Sequence, residues 1–370
     1  MNIIISGGGT AGHINPGIAI ARYIRMKYPE ANIIFIGTER GLEKDLVPRE
    51  GFEIKFIKAR GFKRKISFEI FTIIKDNIVG YIEATKLIKL IKPEIVVGTG
   101  GYVCLPVVLA ASRLKIPTLI HEANSYPGIA NRILSKFVDV VAISFKDTKK
   151  YFRRSKKVIF TGNPVRLEIL STTKEDARKE EGIEQNEMHV LIFGGSRGAQ
   201  KINEAVVKMI TMNNGRLTYN LVFATGQSQY ELVINSLIEN KIDIGQCSNI
   251  NITPYIFDMA QVMAISDLVV SRAGAITISE ITARGLPSIL IPFPYATENH
   301  QEINARTLEK DGASIVVLEK ELSGEILDHQ ITSLVNNKEQ LTRMSRCARK
   351  LGVTNAVEEI VGVIEELRNK

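Results

Sequence analysis

Cysteine is scarce in this chain: three residues in 370, at Cys104, Cys247 and Cys347, far apart and without the paired spacing of a metal site or redox pair. That excludes a disulfide framework and points to a reduced, cytosolic setting in which the thiols are small buried hydrophobes. Long apolar runs are lacking as well, since nothing reaches the roughly 18 residues that a spanning helix needs. Met1-Asn2 leads straight into Ile3-Ile4-Ile5 and then glycines, which is not a secretory leader. No short-period repeat is present. Acid is short in the first half: up to Pro164 the chain holds 27 of its 48 Lys and Arg but 13 of its 40 Asp and Glu, a formal +14, while the remainder carries −6. A basic half beside an acidic one points to a polyanionic surface, nucleic acid or anionic membrane, as partner of the basic half alone.

What the chain has is glycine placed after strands. Gly7-Gly8-Gly9-Thr10-Ala11-Gly12-His13, Gly98-Thr99-Gly100-Gly101-Tyr102 and Gly194-Gly195-Ser196-Arg197-Gly198-Ala199 each follow a short apolar run and precede a helix-like segment. Such turns bring backbone N–H groups at a helix start close to a phosphate, because glycine has no Cβ in the way. Gly7-x-Gly9-x-x-Gly12 also fits a dinucleotide fingerprint, with Glu39 as the ribose acid. His13 argues for something else: at the helix start it can move a proton near neutral pH, which a hydride-transfer site does not need beside its pyrophosphate. A capping or packing histidine is the plainer alternative.

The spacing predicts strands at 3–5, 32–36, 53–57, 94–97, 117–120, 139–143 and 157–160, alternating with helices at 15–28, 41–49, 67–90, 105–113 and 127–135. Strands resume at 189–193, 219–224, 249–252, 267–270 and 288–291. Continuous apolar strands alternating with helices indicate parallel sheets covered on both faces. The length suits two domains: residues 1–163 and 164–352, each Rossmann-like and doubly wound, facing across a cleft, with a helix at about 353–370 packing back on the first. Gly162-Asn163-Pro164 and the charged stretch Lys174 to Glu187 read as hinge and linker.

In the second half, Ser271-Arg272-Ala273-Gly274-Ala275-Ile276-Thr277-Ile278-Ser279-Glu280 runs from a strand into a helix. Gly274 lets a diphosphate meet the helix N-terminus, and Glu280, two turns on, can accept from both hydroxyls of a ribose; a solvated surface acid is the alternative. Gln301 and Asn304 follow in a polar loop suited to sugar hydroxyls.

Taken with His121-Glu122-Ala123-Asn124, Gly162-Asn163-Pro164-Val165-Arg166 and Asn299-His300-Gln301-Glu302-x-Asn304-Ala305, these motifs span nearly the whole chain in order. The set closely resembles the bacterial peptidoglycan glycosyltransferases of family 28, which have the GT-B α/β architecture. The resemblance implies an inverting enzyme that moves N-acetylglucosamine from UDP-GlcNAc to the muramic acid 4-hydroxyl of lipid I, making lipid II for cell-wall synthesis, and hence for cell shape and division. A UDP-GlcNAc 2-epimerase-like enzyme is the rival reading. By similarity, Ser196 binds the diphosphate region, Ile256 contacts uracil through its backbone, Tyr255 packs on the base and Arg166 holds the nucleotide. Ala275, Ile276 and Thr277 cover the phosphates, Glu280 the ribose and Gln301 the sugar, with Thr10, Ala11, Gly12 and Asn124 from the first domain. Tyr102, His121 and Glu122 fall on the acceptor side, and His13 is the candidate base.

No Asp-x-Asp metal-chelating motif occurs, so no obligatory metal or cofactor is expected, with helix N-termini and Arg166 stabilising the leaving diphosphate. The resemblance also implies a peripheral enzyme on the cytoplasmic face of the cell membrane, docked on anionic lipid and meeting other cell-wall synthesis proteins, with no nucleic acid partner. Lys63, Arg64 and Lys65 followed by Ile66, Ile70, Phe71, Ile73 and Ile74 form a basic, apolar helix that fits this docking. A core helix with a basic entry would show the same spacing.

Overall fold

The computed structural model describes residues 1–61, 69–195 and 198–369, and divides them into two compact units: Met1–Val165 with Asn355–Lys370, and Arg166–Thr354. Among the described residues of unit 1, seven parallel strands, β1 (Asn2–Gly7), β2 (Asn32–Gly37), β3 (Glu53–Phe56), β4 (Ile95–Gly100), β5 (Thr118–Glu122), β6 (Val140–Ile143) and β7 (Val158–Phe160), lie in the order β3-β2-β1-β4-β5-β6-β7. The helices between them are α1 (Ala11–Lys27), α2 (Glu43–Arg49), α3 (Glu69–Ile91), α4 (Cys104–Arg113) and α5 (Ile129–Leu134). The strand order reverses between β1 and β4, and the crevice beyond the carboxyl ends of such a pair is where open α/β sheets bind ligands. The first two glycine turns leave from those two strand ends.

The three-isoleucine run illustrates why these strands are continuously apolar. Ile3 and Ile5 face the side covered by α1, while Ile4 faces the side covered by α3 and α4, and all three are fully buried.

Unit 2 begins with two short helices, α6 (Leu167–Ser171) and α7 (Lys174–Glu180). The first half of the charged stretch read as a linker is therefore helical: Thr173 caps α7 by accepting from Asp176 N–H. Arg178 is buried, bonding the Ile265 carbonyl and Asp267, so the charges serve tertiary anchoring that composition alone conceals. Alternation then continues through β8 (His189–Phe193), α8 (Gln200–Met212), β9 (Asn220–Ala224), α9 (Tyr230–Glu239), β10 (Ile250–Thr253), α10 (Met259–Ile265), β11 (Leu268–Ser271), α11 (Ala275–Arg284), β12 (Ser288–Leu290), α12 (His300–Lys310) and β13 (Ser314–Val316). The sheet order is β10-β9-β8-β11-β12-β13, so the reversal falls between β8 and β11. Helices α13 (Gly324–Val335) and α14 (Lys338–Leu351) cover the sheet with Leu327, Ile331, Leu334, Leu341 and Met344. The strand β13, three residues long, escapes the sequence pattern.

The last helix, α15 (Ala356–Arg368), lies against α1 in unit 1, where Val357, Ile360, Val361, Ile364 and Leu367 join Ile14, Ile20 and Ile24 in one core.

Candidate functional site

In unit 1, α1 begins at Ala11, so His13 sits in its first turn rather than ahead of it. Its ring lies over Gly100, where a Cβ would come within 2.5 Å of Nδ1. The His13 carbonyl accepts the Thr99 hydroxyl at 2.7 Å, tying the helix start to the second glycine turn. Thr10, the exposed N-cap of α1, makes no side-chain cap, and Gly12 is exposed with space around it. Backbone N–H groups at this helix start are thus presented outward.

The glycines before them serve a different purpose. Gly8 N–H donates to the Gly100 carbonyl at 3.2 Å, and a Cβ at Gly101 would strike the Gly8 backbone. Gly9 N–H donates to Glu43 Oε2 at 2.9 Å. The amides of Gly8 and Gly9 are consumed inside the unit, so this part of the turn is loop-to-loop packing rather than a phosphate cradle. Glu43 escaped the sequence reading; Glu39, the acid considered there, is exposed just past β2. The glycines at 37 and 41, shortly before Glu43, were the available signal.

Of the acceptor-side residues, Tyr102 packs against Gly9 and its hydroxyl lies 3.0 Å from Thr38 Oγ1. His121 and Glu122 are buried. His121 Nε2 faces the Gly162 carbonyl at 3.1 Å, which can only accept, so Nε2 carries the proton; buried Nδ1 has no hydrogen-bond partner among the described residues. Burial pushes its pKa down to about 4, with the neighbouring His13 charge acting in the same direction. Glu122 accepts from Asn124 N–H at 2.9 Å on one oxygen, and from Asn131 Nδ2 at 2.9 Å and Gly128 N–H at 3.1 Å on the other. Burial nevertheless raises its pKa. This carboxylate shapes the loop that carries Asn124.

In unit 2, Arg166 and Glu280 meet: Nε donates to Oε1 at 2.8 Å, with Glu280 6% exposed. Burial raises the Glu280 pKa although Arg166 opposes it, and Arg166 is held above its ordinary value by Glu280 against its own desolvation. Beside them Gly274 caps α11 with no side-chain bond and nothing closer than Thr277 Oγ1 at 3.7 Å to a Cβ, so the N–H groups of Ala275, Ile276 and Thr277 stand open. Gly195, at φ 96°, also looks onto open space; Ser196 lies outside the described residues.

Tyr255 is exposed and packs edge-on to Phe257, ring centroids 5.1 Å apart, while Ile256 between them is buried. Phe257, 91% exposed, is a flat apolar surface the sequence reading passed over. Gln301 Oε1 accepts Phe293 N–H at 2.9 Å, leaving its amide N–H groups to face outward. Asn304 differs from expectation: it is fully buried and donates to the Ala273 carbonyl, bracing the turn before α11 instead of meeting sugar. Among the described residues no group of three or more His, Cys, Asp or Glu is placed to hold a metal ion.

The apolar helix face is shifted from the one expected. Ile73 is buried, whereas Phe71, Ile74, Ile78 and Ile82 are exposed at helical spacing along α3. Lys63, Arg64, Lys65 and Ile66 lie outside the described residues, and Ile70 is placed only as part of α3. No helix among the described residues is long and apolar enough to cross a membrane.

Two family models match the chain: glycosyltransferase family 28 N-terminal domain over residues 3–143 and glycosyltransferase family 28 C-terminal domain over 189–360. A relative from Acetivibrio thermocellus named UDP-N-acetylglucosamine--N-acetylmuramyl-(pentapeptide) pyrophosphoryl-undecaprenol N-acetylglucosamine transferase is 56% identical, covering 100% of this chain and 99% of its own. A protein of the same name from Bacillus pumilus is 46% identical over 99% of each. The crystal structure of Acinetobacter baumannii MurG matches with a TM-score of 0.79 at 30% identity, over 98% of this chain and 99% of that one. A UDP-GlcNAc 2-epimerase from Neisseria meningitidis bound to UDP-GlcNAc, at 17% identity and a TM-score of 0.65 over 99% of this chain and all of that one, shares the fold alone.

Proposed function

The chain belongs to glycosyltransferase family 28, and from that premise we propose that it transfers N-acetylglucosamine from UDP-N-acetylglucosamine to the muramic acid 4-hydroxyl of undecaprenyl-pyrophosphoryl-MurNAc-pentapeptide. The product is lipid II, the disaccharide precursor of peptidoglycan. The observation that carries the reading is identity of 56% across the whole chain to a relative whose name states that transfer.

Unit 2 holds the donor. The Glu280 carboxylate accepts the ribose hydroxyls, Arg166 sits against the nucleotide, and the open N-terminus of α11 meets the diphosphate through Ala275, Ile276 and Thr277. Ser196 serves the diphosphate region, Ile256 the uracil through its backbone, Tyr255 the base face, and Gln301 the sugar through its outward amide. Unit 1 supplies Thr10, Ala11, Gly12 and Asn124 to the sugar and His13 to the acceptor. His13 takes the proton of the 4-hydroxyl as that oxygen bonds the anomeric carbon; the bond to the UDP oxygen breaks and its electron pair leaves with the diphosphate. One displacement converts the α-linked donor into a β-linked product. Tyr102 lies on the acceptor side, with His121 and Glu122 shaping the loop behind it.

The lipid-linked acceptor calls for a membrane surface, and the exposed stripe on α3 in the basic unit fits the headgroup boundary of an anionic bilayer. Its docking places the enzyme peripherally at the cell membrane. The test is direct: purified protein with UDP-GlcNAc and a lipid I analogue should release UDP and yield the β-linked disaccharide, and donor alone should come back unchanged. An altered sugar from donor alone would make the enzyme an epimerase instead.

A further inference from the structure

Glu43 has no part in the chemistry above, yet it is fully buried at the start of α2 with only neutral donors around its carboxylate. Oε2 accepts Gly9 N–H at 2.9 Å; Oε1 accepts Thr38 N–H at 3.0 Å and the Thr38 hydroxyl at 2.9 Å. Because the Thr38 proton goes to Glu43, the Tyr102 hydroxyl, 3.0 Å away, donates to Thr38 Oγ1. Room for the acid is made by absent side chains. A Cβ at Gly8 would lie 2.6 Å from Oε1, one at Gly37 2.6 Å from Cγ, and one at Gly41 closer still.

No Lys or Arg among the described residues pairs with this carboxylate, so its burial is offset by donors fixed in direction. A group that must satisfy three donors at once holds each of them in place. Those donors reach the first glycine turn through Gly9 and, by way of Thr38, the Tyr102 ring that packs on Gly9 from the second turn.

We propose that Glu43 is a positioning residue for the transfer: it locks both glycine turns of unit 1 into one rigid body that sets where Thr10, His13 and Tyr102 stand. This rests on the reading in which those turns serve the reacting sugar. Misplacement of a reacting group by about 1 Å can cost on the order of 100-fold in rate, so loosening the brace acts on turnover and leaves the nucleotide half untouched.

Glu43→Gln keeps the volume but turns one acceptor into a donor, which then faces Gly9 N–H or the Thr38 pair. Expected are a fall of about tenfold or more in kcat at saturating substrates, UDP affinity within about twofold of wild type, and faster hydrogen exchange at the Gly9 amide. Thr38→Val removes the hydroxyl bond to Glu43 Oε1 and with it the link to Tyr102, while the Gly9 and Thr38 N–H bonds to the carboxylate remain; it should lower kcat less, and adding Tyr102→Phe should lower it no further. Wild-type kcat in Glu43→Gln, or a loss matching the fall in folded fraction, overturns the proposal. If Glu43→Gln does not fold, Thr38→Val decides, and normal turnover there overturns it. Exchange at Gly9 needs no acceptor. A wild-type protein that fails to transfer sugar therefore counts against the proposed function, while unchanged Gly9 exchange in Glu43→Gln counts against the brace.

Discussion

In unit 1 the turn glycines Gly8 and Gly101 are crowded, Gly101 against the Gly8 backbone and Gly8 against Glu43, and in unit 2 Gly194 and Gly198 are crowded by Ala199 and Thr225, whereas at Gly12 in unit 1 and at Gly195 and Gly274 in unit 2 a Cβ would meet nothing closer than 3.7 Å. One sequence signal therefore has two physical origins. At the crowded glycines a missing Cβ lets protein approach protein; at Gly274 it leaves room at a helix N-terminus for a ligand. One buried titratable group from each unit makes a second contrast: His121 in unit 1 is a neutral histidine, and Glu280 in unit 2 is an acid with an arginine against it.

Alanine at the two kinds of glycine is the strongest way to break this comparison. Gly101→Ala, at φ 84° and against the Gly8 backbone, should destabilise unit 1 by about 3 kcal/mol or more through clash and strain together. Gly274→Ala should change stability by less than about 1 kcal/mol yet weaken donor binding, because its cost appears only when a diphosphate arrives. Equal stability losses in denaturant melts would erase the distinction.

The two buried groups should respond to pH with opposite sign. His121 has its pKa depressed to about 4, so its contribution is fully present above the ordinary value of 6.5 and lost as pH falls from there toward 4. That window is worth on the order of 3 kcal/mol, and His121→Gln should flatten it in stability-versus-pH curves. Glu280 has its pKa raised, so its contribution is present in acid and is lost as pH rises through the folded value. Glu280→Gln should therefore hold or raise the thermal midpoint at neutral pH, with the gain shrinking in acid. Donor binding should suffer even so: Glu280→Ala loses a bond to a charged group worth roughly 1.5 to 3 kcal/mol, and Glu280→Gln loses less. Calorimetric titration with UDP checks both, and unchanged affinity in the alanine variant removes Glu280 from the ribose site.

The smallest effect concerns the outer face of α3. Ile74→Glu with Ile78→Glu should abolish sedimentation with anionic vesicles and barely move the thermal midpoint, since both side chains are exposed; added salt should weaken wild-type binding. Vesicle binding that ignores the substitutions would leave the stripe without a role.

The alternation of both sheets was legible because buried parallel strands must be continuously apolar, and Ile3-Ile4-Ile5 or Val190-Leu191-Ile192-Phe193 can hardly be anything else. The helix carrying Lys174 to Glu180 was not legible, because its evidence is a buried Arg178 bonding a distant carbonyl. Periodicity placed an apolar face on α3 but could not orient it: Ile73 turns inward, and Ile78 and Ile82 turn outward. At the site, Glu280 and Arg166 were each legible by motif, but their ion pair joins residues 114 apart. Glu43 was hidden for a related reason: a buried acid reads like a solvated one until the three glycines around it are seen to share its space.

The division of labour between the units is tested most directly by His13→Ala, measured as turnover at saturating UDP-GlcNAc and lipid I analogue alongside UDP affinity. Turnover should fall by about 10² to 10⁴ while UDP affinity stays at the wild-type value. Collapsed donor affinity with normal turnover at saturation would make His13 a binding residue and contradict the assignment of the base to unit 1.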